Sequence, residues 1–138
     1  LTFAPRVRRV LQNIFWEALD LLKVERIDHG VQCLHDEKLV QRLCEDQTPL
    51  TVCPLSNIKL CVFNKLEKHN LKKMLNKGLM VMLNSDDPAY FGGYINENIV
   101  ECQIALNLSK EEVRTLIVNS FKASFLKEEI KNKWISKI

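Results

Sequence analysis

The sequence predicts an α/β fold in which short parallel strands alternate with helices. A short extended segment is predicted at Val24–Asp28, and apolar or β-rich runs of strand length lie at Leu50–Cys53 and Leu79–Leu83. Helically spaced apolar residues precede each run, and a polar cluster follows each one. Because strands that are apolar on both faces and separated by helices are typical of a parallel sheet, these observations favour an α/β fold over an antiparallel one.

Local signals set the bounds of the predicted elements. Pro49 opens the second strand and Pro54 stops it, since proline cannot donate to a strand ladder. Gly78 can end the helix before the third strand, because glycine readily adopts the left-handed conformation of a helix end. The helices that precede the strands are expected near residues 14–22, 36–46 and 71–75.

The chain beyond Pro88 is predicted to be helical to its end, after a glycine-rich loop at Phe91–Tyr94. Ser109 is expected to cap a helix that continues through about Phe121, because acidic residues fill its first turn. The segment 127–138 is basic and amphipathic, and we interpret it as a helix with a solvated face.

Composition excludes several classes of function. The 138 residues, of which 46% are apolar, suffice for one core, and the net charge of +3 is too small to indicate a nucleic acid or membrane surface as partner. No apolar run reaches the roughly 18 residues of a membrane span, and we expect no signal peptide. Five cysteines without a Cys-x-x-Cys pair favour reduced, mostly buried thiols in a cytoplasmic protein.

Polar clusters follow the three predicted strands. The carboxyl ends of parallel strands meet at one edge of a sheet, which is where α/β enzymes keep their chemistry. We therefore expect the three clusters to share that edge. They are Asp28-His29-Gly30, Pro54-Leu55-Ser56-Asn57 and Asn84-Ser85-Asp86-Asp87-Pro88.

Two of these clusters contain side chains suited to catalysis. The imidazole of His29 suits proton transfer or metal binding near neutral pH, with a hydrogen-bonded structural histidine as the alternative. The adjacent carboxylates of Asp86 and Asp87 repel each other unless a cation, a proton or directed donors compensate them. One can bind a metal while the other contacts a ligand. The alternative is a turn in which an aspartate caps the next helix.

The three motifs together resemble those of the adenosine and adenine deaminase family, and the adenine deaminase branch in particular. The segments that carry this resemblance occur in the family's order, and the resemblance covers roughly residues 11–138. It implies the C-terminal portion of a (β/α)8 barrel, with about three parallel strand–helix units followed by C-terminal helices. The motifs are Arg26-Ile27-Asp28-His29-Gly30, Cys53-Pro54-Leu55-Ser56-Asn57 and Asn84-Ser85-Asp86-Asp87-Pro88.

The family resemblance also implies a reaction and a role for each residue. One Zn²⁺ activates a water that attacks C6 of a purine, and ammonia leaves. On matching positions, Asp86 is the zinc ligand and His29 orients and deprotonates the attacking water. Asp87 hydrogen-bonds a purine ring nitrogen, and Ser56 and Asn57 support the neighbouring strand end. The implied substrate is adenine, with adenosine as the alternative.

The chain departs from the family in two respects. A complete barrel takes about 250 residues, and these 138 residues contain no His-x-His pair to complete the zinc ligands. We expect residues 13–138 to be the C-terminal part of the barrel and residues 1–12 to be divergent. One set of codons for Pro5–Arg9, shifted by one base, encodes His-Ala-Cys-Glu-Glu, close to the family's His-Ala-Gly-Glu motif. The hypothesis is that this segment is read in the wrong frame, through a genuine frameshift or a sequencing error. The alternative is a deliberate basic cap on a shortened domain.

An incomplete zinc site leaves two alternatives to an active enzyme. The first is a non-catalytic remnant or half-barrel interaction protein. The second is a half-barrel that pairs with itself or with a separately encoded N-terminal half, because open edges of a parallel sheet need covering.

Overall fold

The computed structural model describes the backbone of residues 2–3 and 11–138 and the side chains of residues 13–138. Pro5–Arg9, the stretch on which the frameshift hypothesis depends, lies outside the described residues. Short strands and helices alternate through the rest of the chain. In order, they are β1 (Thr2–Phe3), α1 (Leu11–Asp20), β2 (Arg26–Ile27), a 3-10 helix (Gly30–His35), α2 (Glu37–Glu45), β3 (Leu50–Val52), α3 (Pro54–Lys59), a 3-10 helix (Leu66–Lys68), α4 (Leu71–Asn76), β4 (Val81–Leu83), α5 (Pro88–Phe91), α6 (Ile95–Leu106), α7 (Lys110–Lys122) and α8 (Glu128–Ile135).

The chain divides into two compact units, and β4 begins at the end of the first. The first unit comprises Leu1–Val52 and Asn70–Val81, and the second comprises Cys53–His69 and Met82–Ile138. The division follows β3 along the chain, so the polar motif that begins at Cys53 belongs to the second unit.

The first unit contains the parallel strands that the sequence predicts. In the described residues the strand order is β1-β2-β3-β4, and β2 pairs in parallel with β3, with Ile27 opposite Leu50. The Leu50 amide donates to the Met80 carbonyl at 2.9 Å, which fixes the chain that enters β4. Because parallel strands joined by helices are present, the predicted α/β class is confirmed.

Apolar residues from the strands and from one face of each helix fill the core of the first unit. In α2, Leu39 and Leu43 are buried four residues apart, as the helical spacing predicts. The Asp36 side chain caps this helix by accepting from the amides of Lys38 and Leu39. β3 is closed to solvent on both faces, since Leu50, Thr51 and Val52 are all buried. Ile27 of β2 and Val81 of β4 are each 0% exposed.

The second unit is mainly helical. Ser109 and Glu112 form a capping box at the start of α7, so the predicted cap is observed. The rings of Phe121 and Trp134 stack with centroids 6.4 Å apart, which packs the C-terminal helix α8 against α7. Among the described residues, no helix has both the length and the apolar character needed to cross a membrane.

The five cysteines are free thiols. Cys33, Cys53 and Cys102 are buried, as the sequence predicts for most of them, whereas Cys61 is exposed. Burial raises the pKa of Cys33 and of Cys102 to about 12, so both stay protonated at neutral pH.

Candidate functional site

The first unit holds the candidate base, His29, in a turn directly after β2. His29 adopts a left-handed conformation, with φ 56° and ψ 41°. Its amide donates to the Thr51 hydroxyl at 3.1 Å, so β3 anchors its main chain. A Cβ on Gly30 would lie 2.9 Å from Leu50 Cδ2, which explains why glycine follows the histidine. The turn therefore packs directly against β3.

The second unit joins two of the predicted residues, Ser56 and Asp86. Ser56 is 0% exposed, and its hydroxyl donates to Asp86 Oδ2 at 2.7 Å. A Cys53 sulfur also lies within 4.8 Å of an Asp86 carboxylate oxygen. Asp86 itself has φ 60°, so its backbone is left-handed like that of His29. Left-handed residues other than glycine cost roughly 1–2 kcal/mol, and such strain clusters at functional sites.

Asp87 has a structural role that the sequence left open as the alternative. One oxygen of its side chain, Oδ1, accepts from the amides of Ala89 at 3.0 Å and Tyr90 at 3.2 Å, so it caps α5. Pro88 occupies the first turn of this helix, where the missing amide costs nothing. The cap fixes the Asp87 carboxylate and engages Oδ1 in these two bonds.

Asn57 is buried in the second unit, in the helix α3 that directly follows β3. It is 3% exposed, and its Oδ1 lies 3.0 Å from Nε2 of the equally buried His69. The Phe63 ring packs against the imidazole, with centroids 4.4 Å apart. Burial lowers the pKa of His69 to about 4, so the ring is neutral at physiological pH.

Sequence reasoning missed Asn98, which ties two loops of the second unit together. Asn98 is 0% exposed; its Nδ2 donates to the carbonyls of Gly93 at 3.2 Å and Tyr94 at 2.9 Å, and its Oδ1 accepts from the Leu55 amide at 3.4 Å. The missed signal is an asparagine among the apolar residues of α6, three residues after Ile95.

The predicted residues thus fall into two groups. His29 belongs to the first unit, and Ser56, Asn57, Asp86 and Asp87 belong to the second. Within the second unit, Ser56 and Asp86 are in contact, whereas Asn57 faces His69 and Asp87 faces the start of α5. That the two groups form one catalytic site stays a prediction.

Known proteins resemble this chain over most of its length. A family model described as adenosine deaminase matches residues 10–138. The adenine deaminase of Acinetobacter baylyi is 59% identical over 123 residues, which cover 89% of this chain and 37% of that protein. The adenine deaminase of Wolinella succinogenes is 58% identical over 126 residues, which cover 91% of this chain and 38% of that protein. The chain therefore spans little more than a third of these relatives.

Solved structures share the fold. The crystal structure of adenine deaminase from Arthrobacter aurescens matches with a TM-score of 0.88 and 48% identity, over 90% of this chain and 38% of that one. An amidohydrolase from Burkholderia ambifaria, solved with bound Zn, matches with a TM-score of 0.85 at 23% identity, over 98% of this chain and 38% of that one. The second likeness concerns the fold alone. The expected C-terminal part of a (β/α)8 barrel is confirmed.

Proposed function

We propose a purine deaminase function on one premise: the chain belongs to the adenosine deaminase family. Adenine is the proposed substrate and adenosine the alternative, because relatives named adenine deaminase are 58–59% identical to the chain. Since the chain spans only 37% of the Acinetobacter baylyi protein, it would supply one part of the complete catalytic site.

The proposed reaction is a hydrolytic deamination. The oxygen of a water molecule bonds to purine C6, the bond between C6 and the exocyclic nitrogen breaks, and this nitrogen leaves as ammonia. Adenine and water thus become hypoxanthine and ammonia. His29 would accept the proton of the attacking water, a task suited to an imidazole near neutral pH.

The Asp86 carboxylate fits one ligand position of a zinc ion. Zinc in proteins takes carboxylate oxygen, imidazole nitrogen and thiolate sulfur as ligands, and Asp86 supplies the first type. The Ser56 hydroxyl holds Asp86 Oδ2 at 2.7 Å, which is the outer support that ligating carboxylates commonly have. When bound, zinc would make its water acidic enough to attack at neutral pH. Asp86 would hold the metal through its carboxylate.

The observation in this structure that carries the proposal is the Ser56–Asp86 hydrogen bond. It joins two of the three family motifs through side chains, one of them fully buried. A carboxylate kept only to cap a helix needs no such partner, and Asp87 already caps α5. The cap of α5 therefore does not account for the Ser56–Asp86 hydrogen bond.

Asp87 and Asn57 have distinct proposed roles. The helix cap holds the Asp87 carboxylate through Oδ1, so the remaining oxygen, Oδ2, would accept a hydrogen bond from a purine ring N–H. Asn57 would act indirectly, as a supporting residue next to Ser56.

The first test uses these 138 residues alone. Their sequence contains three histidines and no His-x-His pair, whereas a catalytic zinc takes about three protein ligands. Incubation with zinc and adenine, followed by the absorbance change from adenine to hypoxanthine, should show no turnover. Turnover would contradict the incomplete ligand set.

The decisive test is a chimera in which residues 13–138 replace the matching segment of the Acinetobacter baylyi enzyme. We expect the chimera to deaminate adenine, Asp86→Ala to abolish turnover with zinc content lost, and His29→Ala to lower kcat by about 10²–10⁴. Lys59→Ala, on the same unit as Asp86, is the control and should be active. A folded but inactive chimera, or full activity in Asp86→Ala, would overturn the proposal.

The division of the chain at residue 13 is also a proposal. The family match over residues 10–138 supports it, and so does the loss of resemblance at Pro5–Arg9. Genomic DNA tests the frameshift: the codons of residues 5–9, shifted by one base, should encode a sequence like His-Ala-Gly-Glu. Codons that shift to an unrelated sequence would reject it.

A further inference from the structure

A buried histidine, His69, contacts the chain neighbour of the serine that binds Asp86. His69 and Asn57 are each 3% exposed and form a side-chain pair, with Nε2 and Oδ1 3.0 Å apart. Asn57 directly follows Ser56, whose hydroxyl contacts Asp86. The proposed chemistry uses neither His69 nor its contact with Asn57.

The direction of the hydrogen bond follows from the chemistry of the two groups. An amide oxygen only accepts, so Nε2 of His69 carries a proton and donates it to Asn57 Oδ1. A neutral imidazole has one such donor, and burial keeps the ring neutral because the pKa of His69 falls to about 4. The Phe63 ring, 4.4 Å away between centroids, holds the imidazole plane.

Main-chain bonds connect this pair to Ser56. The Asn57 amide donates to the Cys53 carbonyl at 2.8 Å, and the Leu60 amide donates to the Ser56 carbonyl at 2.9 Å. The Val62 amide returns to the Asn57 carbonyl at 2.9 Å. The helix α3 that carries Ser56 has only six residues, and a helix of that length is not stable by itself. Its orientation therefore depends on side chains packed against it.

We infer that His69 is a positioning residue for Asp86: it holds Asn57, and Asn57 fixes the short helix from which the Ser56 hydroxyl reaches the carboxylate. The inference rests on the proposed function only for the role of Asp86 as a metal ligand. The placement of the carboxylate is a property of this chain, and it can be measured without metal or purine.

The test measures the Asp86 ¹³Cγ resonance in the 138-residue chain. Ser56→Ala removes the hydroxyl and gives the reference shift of the carboxylate without the Ser56 hydrogen bond. We expect His69→Ala to move the resonance by at least half of that shift. His69→Gln should retain the wild-type resonance, because the glutamine amide can donate to Asn57 in place of Nε2. His35→Gln, at an exposed histidine of the first unit, is the matched control.

A purely structural histidine gives a different result. His69→Ala would then lower the melting temperature while the Asp86 resonance of the folded protein stays at its wild-type position, and this outcome overturns the inference. A Ser56→Ala variant that leaves the resonance unmoved overturns it as well. If His69→Ala does not fold, Asn57→Ala removes the acceptor instead and is judged by the same shift.

The chimera with the Acinetobacter baylyi enzyme separates this inference from the proposed function. There, we expect His69→Ala to weaken zinc affinity about tenfold or more, as loss of an outer support does, and His69→Gln to restore it. A moved Asp86 resonance in a chimera that never deaminates purines would reject the function and leave the positioning role. A chimera that deaminates adenine, combined with an Asp86 resonance that does not move in His69→Ala, would support the function and reject the positioning role.

Discussion

In the first unit His29 is fixed through its main chain, whereas in the second unit Asp86 is fixed through its side chain. The Thr51 hydroxyl accepts from the His29 amide, and the Ser56 hydroxyl donates to the Asp86 carboxylate. Both residues have left-handed backbones, with φ of 56° and 60°. Two turns of similar conformation are thus held by hydroxyl groups that act on different parts of the residue.

The two units also differ in the number of buried polar side chains around these turns. Among the described residues, the buried polar side chains of the first unit are Thr48 and Thr51. Those of the second unit are Ser56, Asn57, His69, Asn98 and Asn119. The first unit is a layered apolar core that presents a turn. The second unit has a buried polar framework. Loss of one partner in such a framework strongly destabilises the fold, because the other buried polar group is then left unpaired.

The largest difference between the units is expected in their response to acid. His69 has a pKa of about 4 in the folded protein and 6.5 when solvated, so below pH 6.5 the unfolded chain binds a proton that the folded chain does not. The contribution of His69 to the free energy of unfolding is therefore fully present above pH 6.5. It decreases by about 3 kcal/mol as the pH falls to 4, at 1.36 kcal/mol per pKa unit.

Urea unfolding at pH 7 and pH 4.5 checks this prediction. The wild type should show most of this loss between the two pH values, whereas His69→Gln should show little of it. His35→Gln controls for the removal of a histidine that is exposed. Equal pH slopes in wild type and His69→Gln would show that the buried ring does not couple the second unit to pH.

The second prediction concerns the close packing of the glycine loop in the second unit. Gly92 and Gly93 have φ of 78° and 79°, but only at Gly93 would a Cβ meet neighbours, at 2.8 Å from Leu55 Cδ1 and 3.1 Å from Glu97 Cβ. Gly92→Ala should cost about 1–3 kcal/mol, because φ 78° with ψ 140° is a backbone conformation that residues other than glycine rarely adopt. Gly93→Ala should cost about 1–3 kcal/mol more, because overpacking adds to the strain of its positive φ. Equal thermal shifts would refute the packing argument.

Local patterns in the sequence predicted the parts of the fold that local forces determine. The strand at Leu50 was predicted from a run of adjacent apolar residues, and the Ser109 cap was predicted from the acidic residues in the first turn of the helix. Both signals involve residues that are neighbours in the chain. The expected strand at 24–28 shortened to Arg26–Ile27, since strand ends depend on the partner strand. Even so, the placement of the polar motifs after β2, β3 and β4 followed from the pattern.

The parts of the candidate site that could not be predicted depend on contacts between distant residues. The Asn57–His69 pair spans twelve residues and the Leu55–Asn98 bond spans 43. The Asn57–His69 pair has no local signature, because an asparagine or a histidine at such a position is equally compatible with exposure. The signal for Asn98, an asparagine among the apolar residues of α6, does not identify Leu55 as its partner. Sequence showed that Ser56 and Asp86 belong to related motifs, but the 2.7 Å bond between them needs three-dimensional packing.

The third prediction compares the two hydroxyl groups directly. Thr51→Val keeps the shape and removes the acceptor of the His29 amide, at a cost of about 1 kcal/mol. Ser56→Ala removes a hydrogen-bond donor to the Asp86 carboxylate. Because solvent partly screens this carboxylate, the change should lower the free energy of unfolding by about 1–2 kcal/mol. Amide hydrogen exchange should speed up at His29 only in the first variant. Faster exchange at His29 in both variants would mean that the two turns are not separately anchored.

The smallest effects on stability are expected from His29→Asn and Asp86→Asn. Asparagine tolerates a left-handed backbone about as well as histidine and aspartate do, so each change should alter the free energy of unfolding by about 0.5 kcal/mol or less. Asp86→Asn also keeps an oxygen for the Ser56 hydroxyl. In the chimera, however, both variants should lose activity by about 10²–10⁴, since neither amide can take the proton or the metal. A residue strained for packing would show the opposite pattern, with activity kept and stability changed. Unfolding curves and deamination rates for the same two variants therefore decide whether the strain in each unit is kept for chemistry.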